Sequence, residues 1–377
     1  WNLARKTLLQ ELNANRYGKG DPVLFRYTGG GSVRQIWGFY NGGLENPEPQ
    51  VKIEKIGPRF VSTSPYFQSP NRKATLLNTE TSATMQLVFA RIDGLWDVLG
   101  PPNASGSYTT ISALAVAPDG KVYVGGTFLN FDSRANGDYL AYYDMVTETW
   151  GTVSALDGAV TALAISSTGI VYFGGAFTNA GGVAAADYIA QWDGSSVTAV
   201  GTPNTGTASI TSVNAMVFDG QGRLWVGGTF TDFANVAAAD RICYWDGSNY
   251  YALGTGANNS VHALAYDAIA DRIYVGGDFT TLDAISIPRA GYYSWPDSSF
   301  VAMGTGGDAG QVSALAVDAT GNVYIGGTFA EFNEVVVNGI CYWNGVTAVA
   351  MGSGVGTLTQ VKTIAIAESG EVWIGGV

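Results

Sequence analysis

From residue 111 onward the chain alternates apolar with small or polar positions in short runs broken by glycine. The run ISALAV from Ile111 is followed by Asp119-Gly120 and then by KVYVGG, which ends on the pair Gly125-Gly126. Period-two alternation places successive side chains on opposite faces of a strand, and turn residues between two such runs predict a hairpin. After a loop of variable sequence a second pair of runs follows: LAYYD then TWGT, IAQWDG then SVTAVG, ICYWDG then YYALG, GYYSW then FVAMG, and ICYWNG then AVAMG. Each unit therefore predicts four short antiparallel strands.

The unit recurs. Openings of the same pattern start at Ile111, Val160, Val213, Val261, Val312 and Val361, and their glycine pairs begin at Gly125, Gly174, Gly227, Gly276, Gly326 and Gly375. The spacings of 49, 53, 49, 50 and 49 residues are too long for a β-helix coil and match a four-stranded propeller blade. The opening pair at 361–376 has no closing pair after it, and a closing pair without an opening, LVFARIDG then LWDVLG, stands at 87–100. Joining the two completes a sixth blade and removes two exposed sheet edges. The expectation is a mainly β chain: a six-bladed β-propeller of four-stranded blades over 84–377, with terminal strand-pair closure, preceded by a small α+β or β-sandwich-like domain. A chain continuing past Val377 into a seventh blade is the alternative; Trp1 in place of Met suggests that the ends are cut.

Residues 1–83 do not repeat. A short helix is expected over 3–12, with Asn2 as its N-cap and leucines at 8, 9 and 12, and strands over 23–27, 34–40, 51–55 and 60–63. SPYFQSP at 64–70 marks the end of this domain, and 71–83 is its linker to the repeats.

Composition narrows the picture. High glycine (51 residues), 12% aromatics and only 13% charged residues suit short strands and tight turns and argue against disorder. The net charge of −12 is uneven: residues 1–83 hold 11 Lys/Arg and 6 Asp/Glu, residues 84–377 hold 8 and 25. An acidic repeat region repels phosphates, so nucleic acid is not an expected partner. No apolar run approaches the roughly 20 residues that span a bilayer.

The repeats resemble those of kelch-like and WD-type propellers, a resemblance of fold that names no activity. The segments LARKTLLQELN, DPVLFRYTGG, VRQIWGFYNGGLE and SPYFQS in the first 83 residues resemble the first domain of siphophage distal tail proteins. That resemblance implies a ring-forming domain around a tail tube, a homo-oligomer contacting other tail proteins, and a virion-tail location. The propeller then stands where the family usually carries a small β-sandwich.

Individual residues read mostly as structure. Trp96, Trp192, Trp245 and Trp343, with Tyr143 and Tyr293 at the same place, recur in every unit and are expected in the core between blades rather than as sugar platforms. The glycine pairs lack a GxxxxGK[ST] context and fit close backbone approach, not phosphate binding. Cys243 and Cys341 share one slot in non-adjacent units, too far apart for a disulfide, and are expected as buried free thiols. His262, the one histidine, offers little for a zinc site or a catalytic triad. Asp119, Asp193 and Asp246 lie in Asp-Gly turns.

The loops joining the second and third strands differ from unit to unit and lie on one rim, where binding usually resides. They supply the candidate binding residues: Asn130, Asp132, Asn179, Asp232, Asp240, Asp283, Glu331 and Asn333. These oxygens could hold calcium, but no EF-hand spacing is present, so no metal or cofactor is expected. No paired carboxylates stand out as glycosidase machinery. The chain is expected to be a non-enzymatic structural and adhesion component of a phage tail tip, binding a host glycan or a tail protein. The alternatives are a secreted or cell-surface propeller lectin and a propeller glycosidase or lyase.

Overall fold

The computed structural model describes the strands at 22–29, 32–39, 89–92 and 95–98, and residues 110–131, 137–153, 156–308, 310–355, 360–367 and 370–377. The chain separates into two compact units, Trp1–Thr75 and Leu76–Val377. In the first, Pro22–Gly29 and Ser32–Phe39 pair as an antiparallel hairpin, from Pro22 opposite Phe39 to Gly29 opposite Ser32. The strand expected over 23–27 falls within it, and the one expected over 34–40 overlaps it as far as Phe39. The helix expected over 3–12 and the strands over 51–55 and 60–63 lie outside the described residues.

The second unit is built of four-stranded antiparallel sheets, five among the described residues, each a meander in chain order. The first comprises Ile111–Val116, Lys121–Gly126, Leu140–Asp144 and Thr149–Thr152. The second comprises Val160–Ile165, Val171–Gly175, Ile189–Trp192 and Val197–Ala199. Ser209–Phe218, Leu224–Thr231, Ile242–Trp245 and Tyr250–Ala252 make the third. The fourth is Val261–Asp267, Arg272–Gly277, Ala290–Ser294 and Ser299–Ala302, and the fifth is Val312–Val317, Val323–Gly327, Ile340–Trp343 and Ala348–Ala350.

Outside these sheets, besides two miniature hairpins in connecting loops, stand an early hairpin of Phe89–Ile92 with Leu95–Val98 and a last one of Val361–Ile366 with Val372–Gly376. The expected terminal strand-pair closure would join these two; among the described residues each is a two-stranded sheet of its own. In the complete sheets a short loop ties the second strand to the third. The last hairpin has no such tether to the early one, so their pairing must meet the entropy of a far longer loop.

Sheets stack because each inner strand lies beside the next, in sequence from Ile111–Val116 to Val361–Ile366. The glycine pair makes the approach possible. A Cβ on Gly125 would stand 2.6 Å from Val160 Cγ1 in the following sheet, and one on Gly126 would stand 2.0 Å from the Thr110 carbonyl oxygen of its own sheet. The same slip recurs in every opening pair: Ile111 opposes Gly126 while Ala113 opposes Gly125, a bulge that leaves the residue between them unpaired.

Three residues past the first glycine a phenylalanine is buried in each complete sheet: Phe128, Phe177, Phe230, Phe279 and Phe329. Each contributes about 1.5–3 kcal/mol by leaving water. The recurring aromatics Trp192, Trp343, Tyr143 and Tyr293 are also buried, as the core reading expects, and Trp245 is half-buried. Cys243 and Cys341 are free and buried. Burial alone pushes the Cys341 thiol up to about 12 and that of Cys243 higher still.

Candidate functional site: the rim of connecting loops

The loops between second and third strands are shaped by backbone handedness. Asn130, Asn179 and Asp232 occupy one position in the first three sheets, and all have left-handed backbone, with φ of 52°, 51° and 49°. Asparagine and aspartate are the non-glycine residues that adopt this region most readily. Eight residues on, Asp138, Asp187 and Asp240 close each loop by accepting the amide N–H of Asn130 at 2.6 Å, Asn179 at 2.8 Å and Asp232 at 3.0 Å. Asp232 and Asp240 are the two candidate residues that the fold brings together.

The fourth and fifth sheets use another device. Thr281–Leu282 pairs with Ile285–Ser286 and Glu331–Phe332 with Val335–Val336 in miniature hairpins. Their two-residue turns, Asp283-Ala284 and Asn333-Glu334, have positive φ at both positions (48° and 58°, 50° and 63°), the signature of a type I′ turn.

Candidate side chains here reach across to the segment that links the preceding sheet to their own. Asp283 Oδ1 accepts the Thr255 amide at 2.9 Å, and Asn333 Oδ1 accepts the Gly306 amide at 2.8 Å and the Thr305 hydroxyl at 3.3 Å. In the third sheet Asn235 Oδ1 takes the same part toward the Thr207 amide at 3.1 Å. The backbone completes the clasp, with the amides of Asp283 and Asn333 donating to the carbonyls of Gly256 and Gly306. Asn333 Nδ2, by contrast, is buried without a partner among the described residues.

Asn130, Asn179 and Glu331 project into solvent; Asp232, Asp240, Asp283 and Asn333 are half-buried; Asp132 lies outside the described residues. The acceptors Asp138, Asp187 and Asn235 were not among the sequence candidates. A signal for the first two existed, the repeated spacing of eight residues from Asn or Asp to Asp.

Elsewhere, His262 Nε2 lies 2.9 Å from Asp278 Oδ2, and Arg289 donates to the Asp278 carbonyl. On the opposite ends of the sheets, the turn aspartates Asp144, Asp193 and Asp246 accept backbone amides two and three residues on, and these bonds hold their carboxyls below the usual carboxylate range. Between the third and fourth sheets lies a denser network. Buried Asp219 accepts Arg223 Nε at 2.7 Å and Trp225 Nε1 at 2.9 Å, while the Arg223 guanidinium lies 3.5 Å over the Trp295 ring. Among the described residues no group of three or more His, Cys, Asp or Glu converges to hold a metal ion.

No protein-family model matches the sequence, and no curated protein is similar to it. Solved structures give fold similarity. One is a nidogen/laminin complex, 13% identical with a TM-score of 0.41, covering 67% of this chain and 83% of that one. A gluconolactonase from Xanthomonas campestris is 13% identical with a TM-score of 0.40, covering 71% and 96%. The WD40 β-propeller domain of Doa1 is 10% identical with a TM-score of 0.38, covering 71% and 89%.

Proposed function

We propose that the repeats form a non-enzymatic binding and structural module whose working surface is the rim of connecting loops. One observation carries this reading: the loops differ in sequence from sheet to sheet, yet each is fixed in place by left-handed turns and, in four sheets, by bonds to the preceding link. Variable side chains on a preorganised frame lose little conformational freedom on binding, which is where affinity comes from in such surfaces.

The proposal includes six blades. The early hairpin supplies the outer strands of the sheet that the last hairpin opens, in keeping with the repeat spacing. It also includes a setting in a phage tail tip, where residues 1–83 build a homo-oligomeric ring against other tail proteins and the propeller meets a host-surface glycan. The support for that setting is the four N-terminal segments that resemble distal tail proteins. Several copies around a ring gain avidity from weak single contacts.

The test is adsorption by particles carrying the full chain with Asn130→Gly, Asn179→Gly and Glu331→Ala together. Glycine keeps the left-handed turns while removing the side chains. Particles should assemble and adsorb poorly; unchanged adsorption rejects the rim as the binding surface.

A further inference from the structure

The five interfaces between successive inner strands share one arrangement. On the side facing the following sheet the inner strands present mostly alanines, and in the second and fourth sheets both are buried, Ala162 with Ala164 and Ala263 with Ala265. On the side facing the preceding sheet it presents a valine and, three residues on, a larger apolar side chain. These seat on the first glycine of the pair: Val261 and Leu264 on Gly227, Val312 and Leu315 on Gly276, Val361 and Ile364 on Gly326.

At the two ends of the stack, positions on these faces are uncovered, although Ile111 itself is half-buried. Leu114 and Val116, on the preceding-sheet side of the first sheet, are 55% and 69% exposed. Thr363 and Ala365, on the following-sheet side of the last hairpin, are exposed where their counterparts are buried or half-buried. A Cβ on Gly375 would meet Thr363 Cγ2 of its own hairpin at 2.9 Å and, unlike those on the five earlier glycines, no valine of a following sheet. One end offers the apolar knobs of this interface, the other its shallow, small-residue seat.

We infer that these two surfaces are the halves of one more sheet-to-sheet interface and close on each other within a single chain, with residue 111 seated over Gly375. The inference rests on the six-blade reading and adds which faces meet. Continuity with the five formed interfaces selects the occupant. Each uncovered half has the composition that its counterpart buries, and neither half is the self-complementary patch of a symmetric dimer.

The test introduces Ile111→Cys with Gly375→Cys into the full chain, beside a control pair in a formed interface, Val261→Cys with Gly227→Cys. In the control the Cβ positions would stand 3.2 Å apart, close to the roughly 3.5–4.5 Å of a disulfide. Cys243 and Cys341 are buried and stay silent. Under mild oxidation the seam pair should form an intrachain disulfide to the same extent as the control, identified by peptide mass. A bond between chains, or none where the control forms, overturns the inference.

Val116→Lys guards against a variant that does not fold. It should lower the melting temperature, as charge in a covered interface does, and an unchanged melting temperature counts equally against the seam. The six-blade reading is scored separately by hydrogen exchange at those amides of 372–376 that point away from the partner strand 361–366. Unprotected amides there alongside a formed seam disulfide reject the strand pairing alone.

Discussion

Val213 is seated so closely on Gly174 that a Cβ on the glycine would stand 2.5 Å from Val213 Cγ1 and 3.0 Å from Val213 Cβ. Val213 is fully buried, and Met216 closes the same notch from its other side. The Met216 methyl can swing aside, but Val213 Cβ cannot withdraw without moving its strand. Gly174→Ala should therefore destabilise the fold by about 1–3 kcal/mol, the usual cost of overpacking. Adding Val213→Ala should recover part of that loss, so the pair is non-additive in chemical denaturation.

Arg223 and Trp295 join the third and fourth sheets. Arg223→Ala removes the stack on the indole and one of the donors to fully buried Asp219, leaving a buried carboxylate short of partners. The expected loss is about 2–4 kcal/mol. Arg223→Lys should not restore it, because an ammonium has neither the planar face nor the Nε donor. Urea melts of the two variants check both statements.

The outer turns set an acid limit. The carboxyls of Asp144, Asp193 and Asp246 are depressed below their ordinary 3.8 by backbone amides they accept in the folded chain. A depressed folded-state value contributes stability above the unfolded value that is lost as pH falls through the folded one. Melting temperature should hold from neutral pH to about 4 and decline below it. The fifth sheet places Asn344 in the same turn, its Oδ1 accepting Val346 at 3.0 Å and Thr347 at 2.9 Å. Asp193→Asn should accordingly fold normally and flatten the decline in a pH series.

Ala284 carries a Cβ at φ 58° in the second position of a type I′ turn, where glycine or asparagine is at ease. Relief of that strain outweighs the extra freedom glycine gives the unfolded chain. Ala284→Gly should raise stability by about 0.5–1 kcal/mol, read from thermal melts. A drop in melting temperature refutes this.

Much of the repeat architecture is legible in residue spacing. Glycine pairs at a steady interval mark the second strand of each sheet, because the notch for a neighbouring valine and the approach of the strand's own backbone both exclude a side chain. Alternation locates the strands themselves. The rim is less legible. Asn130, Asn179 and Asp232 read as surface polar groups available to a ligand, whereas their recurring physical trait is the sign of φ, which composition does not display. Asp283 and Asn333 read the same way, but their carboxylate and amide oxygens accept amides from a link about 28 residues earlier. Trp295 stands where the second, third and fifth sheets have the glycine of a turn, Gly194, Gly247 and Gly345, so no repeat pattern forecasts its stack with Arg223. Pairing of the early and last hairpins follows from counting units, yet counting carries no information on the entropy of joining segments so distant along the chain.

The clasp that Asn235, Asp283 and Asn333 make with the link before them fixes what can be exchanged on this scaffold. A 281–286 hairpin moved to the fifth sheet would bring Asp283 to the Gly306 amide that Asn333 accepts, whereas a turn with no acceptor at that position would leave the N–H of the link unpaired. The link therefore acts as a common socket, and the rim can diversify by exchanging turns that keep an oxygen acceptor at that one position.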